Sequence, residues 1–241
     1  MRASTKSIIS RWEKETPINM IKYVIFDKDG TLLDTEPFFE GSWVKTGAKW
    51  GLPGTDTNYF ANIAGKSIVK SIEFLRETYE GIDAEAFMQE RLAMVWEMME
   101  GDIPLKEGCI EILDFLRKQG IKIAIATSTT KDYALRNLCK LGLADKYDAL
   151  VAGDMVANGK PAPDIFIEAG RLIGADPAET IVVGDSSFDI IGGHRAGMRP
   201  VMVIDHNPPS EEAEPLCYAI FNSLFEVIDL VTKENKINTG E

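Results

Sequence analysis

The sequence predicts an α/β fold: a parallel sheet covered by helices on both faces, interrupted early by an inserted helical unit. Two observations carry this. Short apolar runs alternate with amphipathic stretches along most of the 241 residues, the pattern of a sheet buried on both sides. Between residues 37 and 104 the alternation stops and only helical periodicity remains.

Residues 1–19 lack the apolar stretch and small-residue cleavage site of a signal peptide and read as an N-terminal extension. Met20, directly before the first strand, could itself serve as the start. "YVIF" at 23–26 is the first strand and "IKIAIA" at 121–126 the second, entered from a helix that Gly120 stops. "ALVA" at 149–152, "TIVV" at 180–183 and "PVMVI" at 200–204 follow, with helices between them. "YAIF" at 218–221 is an edge strand before a closing helix around Leu224 to Val231. In the insert, Ile68, Ile72, Leu75 and Tyr79 recur at helical spacing, as do Met88, Leu92, Val95 and Met99; such stripes are expected to pack a helical core. The chain therefore divides into an extension (1–19), an α/β core (20–36 and 105–241) and a helical cap (37–104). Ligands of open α/β sheets bind beyond the strand ends, so an insert directly after the first strand is expected to act as a lid.

Apolar residues make up 45% and charged residues 27%, as in soluble globular chains. The net charge of −12 repels polyanions, so neither nucleic acid nor an anionic membrane is an expected partner. No run of about 18 apolar residues exists to span a bilayer. Cys109, Cys139 and Cys217 are widely spaced and form no CxxC, which points to reduced thiols in the cytoplasm. The "NGK" that follows Gly153 is not a P-loop, because the spacing is one residue too long and Pro161 replaces the required Ser or Thr.

"DKDGT" at 27–31 sets two carboxylates two positions apart where a buried strand ends. Like charges this close repel unless a cation lies between them; a divalent-metal site would explain the pair, and so would an Asp-Gly turn. "ATST" at 126–129, "GKPAPDIF" at 159–166 and "GDSSFDI" at 184–190 come after it, each at a strand end or in the following connection. In this order the four stretches resemble the motifs of the haloacid dehalogenase-like phosphohydrolase superfamily, over about residues 20 to 230.

The resemblance implies a Rossmann-like, doubly wound core with a helical cap, Mg²⁺ as cofactor, and a small phosphorylated metabolite as substrate. It gives Asp27 the role of nucleophile and Asp29 that of the acid for the leaving oxygen and then the base for water, with Gly30 permitting the turn between them. The Asp27 carboxylate, the Asp29 backbone carbonyl and the Asp185 carboxylate would hold the metal, a hard cation that takes oxygen ligands. Asp189, one helical turn after Asp185, would orient metal waters or Lys160. Thr127 and the Ser128 N–H would bind the phosphoryl group, and Lys160 would neutralise it together with Asp27. Plainer readings stand beside these: helix capping for Asp185, Asp189, Ser128 and Thr129, and a solvated side chain for Lys160.

Asp29 separates this chain from relatives that move ions, remove halide or cleave phosphonates, which lack an acid there. A β-phosphoglucomutase-like mutase is the near alternative. Its cap histidine is matched by Phe39, and its cap arginine by Ile68. A non-catalytic phosphate-accepting or sugar-phosphate-binding module is the alternative of another class. The expectation is a phosphatase for small phosphomonoesters, sugar phosphates or phosphoglycolate-like compounds, acting as a monomer or weak dimer. Trp43, Lys45, Lys66 and Lys70 are candidates for substrate contact, with a solvated or packed surface residue as the plainer reading of each.

Overall fold

β-branched and aliphatic residues with buried side chains on both faces form the strands of the core unit. The computed structural model describes residues 20–63 and 68–239; the extension at 1–19 and Lys66 lie outside the described residues. Contacts divide the chain into two compact units, one continuing from Leu33 at Leu105 and the other spanning Asp34–Pro104.

In chain order the elements are β1 (Tyr23–Phe26), α1 (Glu36–Lys49), α2 (Tyr59–Asn62), α3 (Ile68–Thr78) and α4 (Ala84–Met98). Next come α5 (Cys109–Lys118), β2 (Lys122–Thr127), α6 (Lys131–Lys140), β3 (Ala149–Ala152) and α7 (Asp164–Ile173). β4 (Thr180–Gly184), α8 (Ser187–Arg195), β5 (Arg199–Val203), β6 (Ala219–Phe221) and α9 (Leu224–Thr239) complete the chain.

The sheet order is β3-β2-β1-β4-β5-β6 and every pairing is parallel. This is the doubly wound α/β arrangement. Its strand order reverses beside β1, the switch point beyond whose strand ends ligands bind. Alternation sends Ile25, Ala124, Ala126 and Val182 to one face, where they pack with Ile165, Phe166 and Ala169 of α7. Ile190 and Ile191 of α8 pack around Met202 beside them. On β2 the residues of opposite parity meet α5, which also packs against α9. A parallel sheet covered on both sides explains why its strands read as continuous apolar runs.

In the second unit, Trp43, Tyr59, Leu75, Tyr79, Phe87 and Met88 form the core. Asp34 donates its N–H to the Pro104 carbonyl at 2.8 Å, which joins the two ends of this unit. Both expected stripes contribute to the packing except at Ile68, which is 52% exposed at the start of α3. A stripe residue in a helix's first turn has no preceding turn to cover it. Among the described residues, no helix is long and apolar enough to cross a membrane.

Candidate active site

β1 delivers Asp27 to the switch point. Its N–H is donated to the Val183 carbonyl at 2.9 Å, so the residue stays tied to β4 after the strand ends. The chain then turns: the Lys28 carbonyl accepts the N–H groups of Leu32 and Leu33, and the Gly30 N–H reaches the Leu33 carbonyl at 2.8 Å. Gly30 has φ +88°, and a Cβ there would lie 2.5 Å from Asp185 Oδ2. Only glycine supplies both that backbone and that clearance.

Lys160 joins three elements. Its ammonium donates to Asp27 Oδ1 at 2.5 Å and to the Ala126 carbonyl at 2.8 Å, and lies 2.7 Å from Asp189 Oδ1. The side chain is 5% exposed, so the solvated reading of this lysine fails. The Lys160–Pro161 peptide is cis.

Asp189 both caps and orients. Its Oδ2 accepts the Ser186 hydroxyl at 2.5 Å and the Ser186 N–H at 3.2 Å, closing a capping box at the start of α8. Its other oxygen faces Lys160. Asp185 does not cap this helix, because Ser186 is the N-cap; Asp185 Oδ1 instead accepts the Thr31 hydroxyl at 2.9 Å.

Oxygen atoms of Asp27, Asp185 and Asp189 lie within 4.8 Å of one another. Burial is the main reason that Asp27 is pushed up to about 7; Lys160 opposes the shift, while Asp189 and Asp29 add to it. Burial, then the charges of Asp27 and Asp189, hold Asp185 well above the ordinary carboxylate range. Burial alone would depress Lys160, but Asp189 and Asp27 together push it up. With Asp29 included, the site holds four carboxylates against two ammonium groups, Lys28 paired with Asp29 and Lys160 with Asp27 and Asp189. That surplus of negative charge on an all-oxygen donor set suits a hard divalent cation.

β2 ends at Thr127, which is fully buried. Its hydroxyl donates to Asp29 Oδ2 at 3.2 Å and accepts the Thr129 N–H at 3.2 Å. Ser128 is exposed at the head of the loop. Neither Ser128 nor Thr129 caps α6, against the capping alternative for this pair: Thr130 is the N-cap and makes no side-chain cap bond. The Lys131 N–H is accepted instead by Asp154 Oδ1 at 2.9 Å, from the turn after β3.

The haloacid dehalogenase-like hydrolase model matches residues 21–197. The chain belongs to this family. It is 31% identical to a phosphorylated carbohydrates phosphatase of Thermotoga maritima over 76% of this chain and 85% of that one. It is 32% identical to pyrophosphatase PpaX of Halalkalibacterium halodurans over 76% of this chain and 83% of that one. A hydrolase from Pseudomonas syringae superimposes with a TM-score of 0.73 at 27% identity, covering 88% of this chain and 98% of the other.

In this haloacid dehalogenase-like hydrolase, residues of all four motifs meet at the ends of β1, β2 and β4 and in the loop before α7. The candidates for substrate contact fare differently. Trp43 is fully buried in the core of its own unit and donates its indole N–H to Asn58 Oδ1 at 2.9 Å, so it is a packing residue. Lys45 is exposed, and Lys70 is exposed and paired with Glu73 at 2.7 Å. Phe39 is partly buried, its ring 5.8 Å from the Arg91 guanidinium carbon and its carbonyl accepting an Arg91 N–H. Sequence reasoning missed Lys28, Thr31, Ser186 and Asp154 as parts of the site's framework. Thr31 lies inside the quoted first motif and was legible there; a fully buried Lys28 was not, since lysine is rarely buried.

Proposed function

We propose that this protein is a Mg²⁺-dependent phosphatase of small phosphomonoesters, working through an aspartyl-phosphate on Asp27. The observation that carries this reading is the pairing of two differently held carboxylates. Asp27 sits rigidly at the switch point beside Lys160, while Asp29 is held beside Thr127.

In the first half-reaction an Asp27 carboxylate oxygen attacks phosphorus as the ester P–O bond breaks, and Asp29 gives its proton to the departing oxygen. In the second, Asp29 takes a proton from water, the water oxygen bonds to phosphorus, and the Asp27–phosphorus bond breaks. Inorganic phosphate leaves and both aspartates are restored. Thr127 and the Ser128 N–H bind phosphoryl oxygens, and Lys160 offsets their charge. The Asp27 and Asp185 carboxylates and the Asp29 backbone carbonyl would hold Mg²⁺, which neutralises the surplus negative charge and polarises a phosphoryl oxygen. Residues 37–104 would act as a cap.

The resemblance to a phosphorylated carbohydrates phosphatase supports sugar phosphates as the substrate class. The partner is then a small metabolite in the cytoplasm, handled by a monomer or weak dimer, with no role for nucleic acid or membrane. Phosphate release from a panel of sugar phosphates, phosphoglycolate and pyrophosphate, with Mg²⁺ and with EDTA, tests the proposal. Release with Mg²⁺ and none with EDTA is expected; full turnover in EDTA overturns the metal, and isomerisation of β-glucose 1-phosphate without free phosphate overturns the hydrolase.

A further inference from the structure

The residue between the two aspartates is the least expected one in the site. Lys28 is fully buried, and its ammonium lies 2.7 Å from Asp29 Oδ1 and 5.9 Å from the centroid of the Tyr133 ring in α6. Placing an ammonium out of water is costly unless a partner compensates it. The fold does not need that charge, since the turn is made by the Lys28 carbonyl, which accepts the Leu32 and Leu33 N–H groups. A Met or Leu would fill the same apolar volume without the desolvation cost.

We infer that Lys28 is a positioning residue for Asp29: it anchors Oδ1 and so leaves Oδ2, the oxygen facing Thr127, as the atom that carries the proton. This rests on the phosphatase reading above. Two contacts on opposite oxygens fix the carboxylate: Lys28 on Oδ1 and the Thr127 hydroxyl at 3.2 Å on Oδ2. A phosphoryl group that engages Thr127 takes away the second contact, and Lys28 then keeps Asp29 from turning away.

The role has a signature that packing lacks. Alkyl phosphates need their leaving oxygen protonated, whereas p-nitrophenolate leaves readily without a proton. The test measures the rate of the first half-reaction by rapid quench, together with KM, for wild type and Lys28→Met with p-nitrophenyl phosphate and with the best alkyl phosphate of a panel, because the second half-reaction is common to both esters. A misplaced catalytic group costs up to about 10²-fold, and a loss of about that size in the first-step rate is expected for the alkyl ester. KM should barely move, and the aryl ester should lose at most a few-fold. Lys28→Gln, which keeps a donor, should recover part of the loss and serves in its place if Lys28→Met does not fold. Equal losses on both esters, or no loss on either, overturn the positioning role while leaving the phosphatase reading intact. A wild-type protein that releases phosphate from neither ester overturns that reading and this one with it.

Discussion

Burial gives Asp27 a thermodynamic signature that activity assays do not see. Its folded pKa of about 7 lies above the ordinary value of 3.8, so its contribution to stability is fully present below about pH 4. That contribution is lost as pH rises through about 7. Asp27→Asn removes the titration. In EDTA, the Tm of this variant minus that of wild type should therefore grow between pH 4 and pH 7. A constant difference would mean that Asp27 is not held in a destabilising environment. Mg²⁺ should raise the wild-type Tm more at pH 8 than at pH 5, because the ionised pair of Asp27 and Asp185 is what it compensates. Turnover should vanish in Asp27→Asn, since an amide is not a carboxylate nucleophile. Asp29→Asn should slow both half-reactions by about 10²–10⁴-fold, read by rapid quench with p-nitrophenyl phosphate for the second step and an alkyl ester for the first.

Among the elements, the turn after β3 braces the loop that follows β2. Gly153 donates its N–H to the Thr129 carbonyl at 2.9 Å, and a Cβ on Gly153 would lie 2.5 Å from the Ser128 carbonyl oxygen. Backbone cannot yield as a side-chain tip can. Gly153→Ala should therefore push Ser128 outward, raise KM more than it lowers kcat, and cost about 1–3 kcal/mol. An unchanged KM would show that Ser128 does not bind the phosphoryl group. The sheet was legible in the sequence because its strands are buried on both faces and read as plain apolar runs, so β1 and β3 stand where their letters put them. Other edges moved by a residue; β2 runs on to Thr127 because that residue still pairs with Ala152 of β3. The motif residues were legible because each is short, polar and placed at a strand end. The cap of α6 was not, since Asp154 lies 23 positions from the N–H it accepts. Trp43 was left open between substrate contact and packing because an aromatic residue near a loop looks the same whether it faces a ligand or a core.

On the scale of the whole molecule, the closing helix α9 holds the end of the sheet opposite the site. Glu234 accepts the Tyr218 hydroxyl at 2.8 Å and faces Arg199 at 3.5 Å, all three nearly fully buried. Removing one partner of a buried pair strands the other charge, at about 3–5 kcal/mol. Glu234→Ala should lose about that much in urea denaturation, while kcat below the transition stays near wild type because β5 begins far from the strand ends that carry Asp27 and Asp185. A loss of kcat without a loss of stability would mean that α9 acts on the site directly. Asn235 of the same helix accepts the Ile21 N–H at 2.8 Å and donates to the Ile21 carbonyl at 3.0 Å, just ahead of β1.

The parallel order of the sheet has a consequence for synthesis. β1 leaves the ribosome before every other strand, yet Tyr23 pairs with Lys122 on one side and Thr180 on the other. A nascent chain therefore carries this apolar strand, which leads into Asp27, with one edge open until β4 has been made. The helical unit at Asp34–Pro104 draws its core from contiguous residues and can fold within that interval. Ribosome-bound chains stalled at residue 175 should show protease protection over 34–104 and weaker protection over 20–33, which should become full only when β4 has emerged.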